Sequence, residues 1–304
     1  MEPGYDRPLF ILPFDQRSTF EKSLFGFKQR LTAEQSAAVS DSKRVVYDAF
    51  KLALTKGAPR GAAGILVDEQ FGAPILRDAR AQGIITCAPV EKSGQEEFVF
   101  EYGDRWRDHI EAFVPTFVKV LVRYNPQNDD AINGRQATRL KELSDYCHRN
   151  GHRLMFELLV PMTREQTDRV GGNQLLFDRD LRPFLMVAAI KELQQAGVEP
   201  DVWKVEGLER RDDCIALVAT ARRDGREKVS CIVLGRGADE IGVLSWLEVA
   251  ASVPGYVGFA IGRTSFWEAL VGLRDQTMTR SAAVEQVADR YIKWIHAFLA
   301  ARGS

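Results

Sequence analysis

Eight short runs of apolar residues, separated by longer stretches of mixed polarity, are the feature that most restricts how this chain can fold. The runs lie at 9–14, 64–67, 84–87, 117–122, 154–160, 202–205, 229–234 and 257–261. Most are apolar throughout, as strands covered on both faces should be. Amphipathic helices are predicted between them. One over 33–56 opens after Thr32 with Glu34 and Gln35 in its first turn, and one over 134–149 stops at Asn150-Gly151. Others are predicted over 180–196, closed by Gly197, over 238–252, stopped before Pro254, and over 281–301. Repeated βα units imply a parallel sheet, and eight imply closure into a barrel. A doubly wound open sheet is the competing arrangement. It usually carries a GxGxxG turn after its first strand, and Phe14-Asp15-Gln16-Arg17 is not one. The expected fold is α/β, a single (β/α)8 TIM-barrel domain over 1–304, with an extra C-terminal helix packed outside it.

Two segments are longer than a βα connection needs. One, over 89–105, contains the alternating Glu97-Phe98-Val99-Phe100-Glu101, which suits a small hairpin. The other, over 161–179, is polar and reads as a loop with Gly171-Gly172 at its centre. In a barrel both would overhang the C-terminal mouth, where active sites sit.

Charge and composition narrow the partners. With 41 basic and 42 acidic side chains the electrostatic case for nucleic acid or an anionic membrane surface disappears. No apolar run reaches ~18 residues, the length of a membrane span. The first ten residues, MEPGYDRPLF, hold no apolar core of signal-peptide length, and the four cysteines are scattered without a CxxC pair. The expectation is a cytoplasmic protein acting on a small molecule, and a homo-oligomer is compatible with it.

Charged residues inside or at the ends of the apolar strands carry the functional signal. In Asp201-Val202-Trp203-Lys204-Val205-Glu206, the period of two places Lys204 on one face with Val202 and Glu206. Desolvation there favours the neutral amine, the form that attacks a carbonyl. Phe117, Lys119, Leu121 and Arg123 share a face of the fourth strand, and Met155, Glu157 and Leu159 a face of the fifth. Asp68 and Glu69 end the second. Any one of these reads most simply as a salt bridge. Four at one predicted mouth read as a site, because burying an unpaired ion costs several kcal/mol. Glu69 and Arg123 are expected to contact substrate.

A phosphate site is the second signal. Strand seven ends in Leu234-Gly235-Arg236-Gly237-Ala238 and strand eight in Ile261-Gly262-Arg263-Thr264, each leading toward a helix. Barrel enzymes commonly bind phosphate there, on backbone N–H groups at a helix start. Arg236 or Arg263 can add a forked contact. No metal or cofactor is expected. Only His109, His148, His152 and His296 are available, and His148 and His152 read as surface residues on either side of the Asn150-Gly151 stop. Cys87 and Cys231 lie in apolar strands and read as core.

Together these residues resemble the class I aldolases of the tagatose-bisphosphate type. Closer still is the aldolase domain fused to a sugar kinase in bacterial myo-inositol breakdown, a 2-deoxy-5-keto-gluconate-6-phosphate aldolase. The likeness runs from Phe14 to about Trp267. It rests on Asp15-Gln16-Arg17, Asp68-Glu69, Lys119, Phe156-Glu157, Trp203-Lys204-Val205-Glu206 and Gly262-Arg263. The resemblance puts the Schiff-base lysine at Lys204, the acid/base glutamate at Glu157, the auxiliary lysine at Lys119 and a substrate-contacting glutamine at Gln16. Gly235 to Gly237 and Gly262-Arg263 would hold phosphate, although tagatose-type enzymes carry a serine-containing turn at the first of these. The implied mechanism condenses Lys204 with a ketose carbonyl to an iminium, an electron sink that allows carbon–carbon cleavage to an enamine. Glu157 would take the hydroxyl proton and shuttle protons at the imine, while Lys119 and Asp15 orient hydroxyls and tune Lys204. The implied products are dihydroxyacetone phosphate and malonate semialdehyde. Alternatives are an aldolase or transaldolase for tagatose bisphosphate or a sulfonated sugar phosphate, and a barrel that binds sugar phosphate without catalysis.

Overall fold

The computed structural model describes residues 3–303. Eight parallel strands close into a barrel in chain order. They are β1 (Leu9–Pro13), β2 (Ala63–Leu66), β3 (Ile85–Pro89), β4 (Phe117–Arg123), β5 (Arg153–Leu159), β6 (Val202–Glu206), β7 (Ser230–Leu234) and β8 (Tyr256–Ala260). Each falls on a run predicted from sequence, displaced by a residue or two. The (β/α)8 TIM barrel of one domain is the observed architecture.

The helices are α1 (Ala33–Thr55), α2 (Glu69–Ala81), α3 (Trp106–Phe113), α4 (Asp130–Arg149), α5 (Arg164–Arg169), α6 (Gln174–Leu176), α7 (Arg182–Gln195), α8 (Arg211–Ala221), α9 (Glu240–Ala251), α10 (Arg263–Arg274) and α11 (Arg280–Arg302). Thr32 caps α1 as the first-turn pattern suggested, exchanging bonds with Gln35. The segment over 161–179 departs from its reading as a loop. Thr163 and Gln166 form a capping box that starts α5, and Asn173 accepts from Leu175 and Leu176 to start α6. A wide helical turn, Phe177–Leu181, then leads into α7. The segment after β3 does double back: Lys92 donates to Val99 and Glu101 to Val90, each at 2.9 Å. Helix α11 lies against α1, α9 and α10. Its Tyr291 donates to the Phe10 carbonyl at 2.6 Å and Trp294 to Ser265 Oγ at 3.0 Å, pinning it to β1 and α10. Among the described residues no helix is long and apolar enough to cross a membrane.

Side-chain parity divides the barrel interior into levels. Leu9, Ile11, Leu66, Cys87, Phe117, Met155, Val202 and Ile232 fill its lower part with apolar volume. Two residues further along β4, β5 and β6, on the same inner face, come Lys119, Glu157 and Lys204. The register sets Glu157 beside Lys204 and Pro89 beside Lys119. An apolar floor therefore carries a charged layer at the C-terminal ends of the strands.

A second buried charge fixes the rim. Val39, Lys43, Val46 and Phe50 follow a helical period on α1, and all four are buried. Lys43 Nζ donates to the Phe14 carbonyl at 2.8 Å and pairs with the Asp68 carboxylate, 4.7 Å from the centre of the Phe20 ring. Asp68 Oδ1 also accepts from Phe71 N at 2.9 Å, capping α2. One ammonium thus ties the end of β1 to the end of β2, immediately before Asp15. Lys43→Met should lower unfolding free energy by about 3–5 kcal/mol, because it strands a buried carboxylate. Adding Asp68→Asn, which can still cap α2, should restore much of that loss in urea denaturation. A double variant as unstable as the single one would show that packing, and not charge, sets the cost.

Candidate active site

The C-terminal mouth encloses a cavity of about 500 Å³. At its base Lys119 Nζ meets three carboxylates, Asp15 Oδ2 at 2.9 Å, Glu91 Oε1 at 2.7 Å and Glu157 Oε2 at 2.8 Å. The other oxygen of Glu157 lies 2.7 Å from Lys204 Nζ. All five residues are buried, and all five line the cavity. Burial alone would raise the Asp15 and Glu157 carboxyls, but Lys119 and then Lys204 outweigh it and hold both below the usual range. Burial also opposes the charge on Lys119, yet its carboxylate partners keep the ammonium well above the ordinary lysine range. Glu91 goes the other way. Burial pushes it up, and Lys119 offsets only part of that.

The rim over β7 and β8 has the character of an anion site. Gly235, Arg236, Gly237, Gly262 and Arg263 line the cavity. Arg236 sits at φ 47° and Gly237 at φ 77°, a left-handed turn that side chains resist. A Cβ on Gly237 would come within 2.6 Å of Arg263 Nη2, so only glycine lets that guanidinium lie over the turn. Arg263 Nη2 donates to the Arg236 carbonyl at 2.7 Å. The two neighbouring helix starts differ. Asp239 caps α9, accepting from Gly242 N at 2.8 Å, whereas α10 opens after Gly262 without a side-chain cap. At α10 Ser265 N and Phe266 N donate to the Gly262 carbonyl at 2.7 and 3.2 Å. That leaves the Arg263 and Thr264 N–H groups as its open first-turn donors among the described residues.

Of the residues expected from sequence, Lys204, Glu157, Lys119, Asp15, Gln16, Arg123, Gly235, Arg236, Gly237, Gly262 and Arg263 all line this one cavity. Gln16 Oε1 is buried there without a hydrogen-bond partner among the described residues. Arg123 stands at the rim, where its Nη1 donates to the Gln95 carbonyl at 2.9 Å. Arg236 differs from expectation, because its guanidinium already bridges Asp178 at 2.9 Å and Glu206 at 3.2 Å. Glu69 is not at the mouth. β2 ends at Leu66 and Asp68 caps the following helix, so Glu69 is the first residue of α2 and turns outward. There it meets His109 Nδ1 at 2.5 Å, with Tyr102 stacked on the imidazole. His152, read as a surface residue, is buried and bonds Glu111 Oε1 at 2.8 Å. Cys87 and Cys231 are buried. Among the described residues no group of three histidine, cysteine or carboxylate side chains is arranged to hold a metal.

Two buried charged residues of the cavity, Glu91 and Arg182, escaped sequence reading, and Arg17 entered it only within the Asp15-Gln16-Arg17 motif, with no role assigned. Glu91 continues the inner face of β3 beyond Cys87 and Pro89, so extending the period of two would have found it. Arg17 follows Asp15 and donates to the Glu91 carbonyl at 2.5 Å and to Glu101 at 2.6 Å. Arg182, the first residue of α7, pairs with Asp178 at 2.8 Å and lies 3.3 Å from Glu206, while its buried Nη1 has no partner among the described residues. Nothing in the local sequence separates Arg182 from an ordinary helix-terminal arginine.

The chain belongs to the DUF2090 family, described as uncharacterized protein conserved in bacteria, whose model matches residues 4–302. No curated protein matches it. Among solved structures it is similar to fructose-bisphosphate aldolase from Plasmodium falciparum, with a TM-score of 0.67 and 14% identity over 100% of this chain and 98% of that one. A fructose-bisphosphate aldolase from Slackia heliotrinireducens gives 0.56 at 11% identity, covering 93% and 86%. A Schiff-base-forming fructose-1,6-bisphosphate aldolase gives 0.54 at 13%, covering 93% and 94%. Likeness at such identities is likeness of fold.

The charged layer makes a pH prediction. In the native chain the folded carboxyls of Asp15 and Glu157 are depressed, so their contribution is full above the unfolded values and fades as pH falls. Lys119→Met leaves Asp15 and Glu91 without their direct cation, while Glu157 keeps Lys204. Burial then dominates at Asp15 and Glu91, and stability is lost as pH rises from the unfolded values through the raised folded ones. The variant should be destabilised by about 3–5 kcal/mol near neutrality and by clearly less near pH 5. Urea titrations at the two pH values check this, and an equal loss at both would contradict it.

Proposed function

We propose that this DUF2090 protein is a metal-independent class I aldolase that holds a ketose phosphate as a Schiff base on Lys204. The observation that carries the reading is Glu157, with one oxygen 2.7 Å from Lys204 Nζ and the other 2.8 Å from Lys119 Nζ. A carboxylate so placed can take the proton that makes Lys204 a nucleophile, then return protons as the carbinolamine loses water and as the imine is hydrolysed. Lys119, fixed by three carboxylates, gives those protons a constant electrostatic setting. Gln16 and Arg123 reach the same cavity and suit contacts to the hydroxyl-bearing part of a sugar. The turn over 235–237, with Gly262, Arg263 and the open start of α10, suits a phosphate dianion.

The substrate that fits the resemblance read from sequence is 2-deoxy-5-keto-gluconate 6-phosphate, split to dihydroxyacetone phosphate and malonate semialdehyde. In the cleavage step the iminium nitrogen accepts the electron pair of the breaking carbon–carbon bond, and the adjacent hydroxyl becomes an aldehyde. Its proton must leave to a base inside the cavity.

Borohydride reduction during turnover should add substrate mass to the peptide containing Lys204, and EDTA should leave activity intact. Labelling of Lys119 alone, or activity lost to EDTA and regained with zinc, would defeat the proposal. Arg263→Ala should weaken phosphate binding by about 10- to 150-fold, the equivalent of roughly 1.5–3 kcal/mol for a bond to a charged group. The loss should appear in KM if the ground and transition states share the contact. Equal losses on phosphorylated and unphosphorylated sugars would mean that Arg263 supports the fold instead.

A further inference from the structure

We propose that Glu91 is the acid–base catalyst for the oxygen of the departing aldehyde, a role separate from that of Glu157 at the imine. The assignment rests on the Schiff-base reading above. Glu157 has both oxygens engaged by ammonium groups, which suits it to exchange protons with nitrogen. Glu91 has only one so engaged. Its Oε1 meets Lys119 at 2.7 Å, while Oε2, although buried, has no hydrogen-bond partner among the described residues. The residue is 8% exposed and lines the cavity. Arg17 fixes its backbone at 2.5 Å, and a bridge to Phe100 holds the following turn.

Its place around the barrel decides which part of a substrate it meets. Glu91 follows β3, and the anion turn follows β7 and β8, nearly opposite in a closed ring of eight. A ketose phosphate anchored at β7 and β8, with its carbonyl on Lys204 of β6, extends its far half toward β3 and β4. That half departs as the aldehyde. Asp15 pairs with Lys119 as Glu91 does, but Lys119 and Lys204 hold its carboxyl low, which makes it the weaker base. Burial raises Glu91 while Asp15 is lowered, so the ionised form of Glu91 is the stronger base of the two.

The step balances without a co-reactant. In cleavage, ionised Glu91 takes the hydroxyl proton on Oε2. The O–H pair becomes the carbonyl π bond, and the carbon–carbon pair moves into the iminium to give the enamine. In condensation the enamine attacks the aldehyde carbon, and Glu91 returns the proton to oxygen.

Dihydroxyacetone phosphate in D2O separates the two roles, because hydrogen exchange beside its carbonyl needs the imine and enamine but no aldehyde. Glu91→Gln should retain that exchange and borohydride trapping near wild-type levels. Its condensation of dihydroxyacetone phosphate with malonate semialdehyde or glyceraldehyde 3-phosphate should fall about 100-fold or more. Glu91→Asp should show the same split less severely, and it carries the test if the glutamine variant does not fold. Exchange and condensation falling together, or condensation at the wild-type rate, would overturn the assignment. Wild-type protein that neither exchanges nor traps would overturn the Schiff-base reading, and this inference with it.

Discussion

The ammonium of Lys119 is the point on which the mouth of the barrel depends. Asp15 after β1, Glu91 after β3 and Glu157 on β5 all converge on it. Three carboxylates in one buried space repel one another, and each pays a desolvation cost of several kcal/mol. A single cation among them reverses the sign of the interaction at three places at once. It also joins three segments that the β ladder alone does not bring together at this height. Lys204 stands outside that hub and touches it only through Glu157. One lysine is therefore locked by its partners, while the other has, among the described residues, a single ion-pair partner that can also accept its proton.

The opposite rim uses charge differently. Arg182, Asp178, Arg236 and Glu206 alternate in sign around a ring closed by ion pairs of 2.8 to 3.3 Å. With Glu206 ionised the four charges cancel, but burial pushes that carboxyl up to about 8, so near neutrality the ring keeps positive charge under the anion turn. What remains for a ligand is directional: the open helix start after Gly262, the free Nη1 of Arg182 and the exposed guanidinium of Arg263. Attraction for an anion there comes from these oriented donors together with the positive charge left on the ring.

Period and polarity made much of this legible in advance. A strand covered on both faces has little freedom of composition, so each of β1 to β8 was visible as an apolar run. A lysine or glutamate inside such a run was visible as an exception, which is why Lys119, Glu157 and Lys204 stood out. Glu91 was lost because its strand was read as ending at Cys87, although the inner parity continues through Pro89. Lys43 was lost for a similar reason, since it follows a helical stripe of Val39, Val46 and Phe50 whose meaning depends on what packs against it. Glu69 failed in the other direction. It follows an apolar strand, but Asp68 starts a helix, and after that point strand parity no longer says where a side chain faces. Arg182 carried no local signal, because its partners Asp178, Glu206 and Arg236 come from three separate segments.

Parity also explains how the barrel carries this chemistry without losing its core. Along β4, β5 and β6 the inner face passes from Phe117 to Lys119, from Met155 to Glu157 and from Val202 to Lys204. Each strand contributes a packed residue below and a charged one above, separated by a single outward residue that packs under the helices. The apolar layer excludes water from beneath the charges and strengthens their interactions. Charges two residues earlier would lie in the middle of the barrel with no room for a substrate, and charges two residues later would reach solvent and lose their coupling. The fold of the aldolase neighbours, shared at 11 to 14% identity, supplies the layers, but it does not fix which residues fill the upper one. In this chain the choice of two lysines and three carboxylates leaves one oxygen of Glu91, and none of Glu157, without a hydrogen-bond partner among the described residues. That asymmetry is the basis on which the two buried glutamates on one lysine are proposed to do different chemical work.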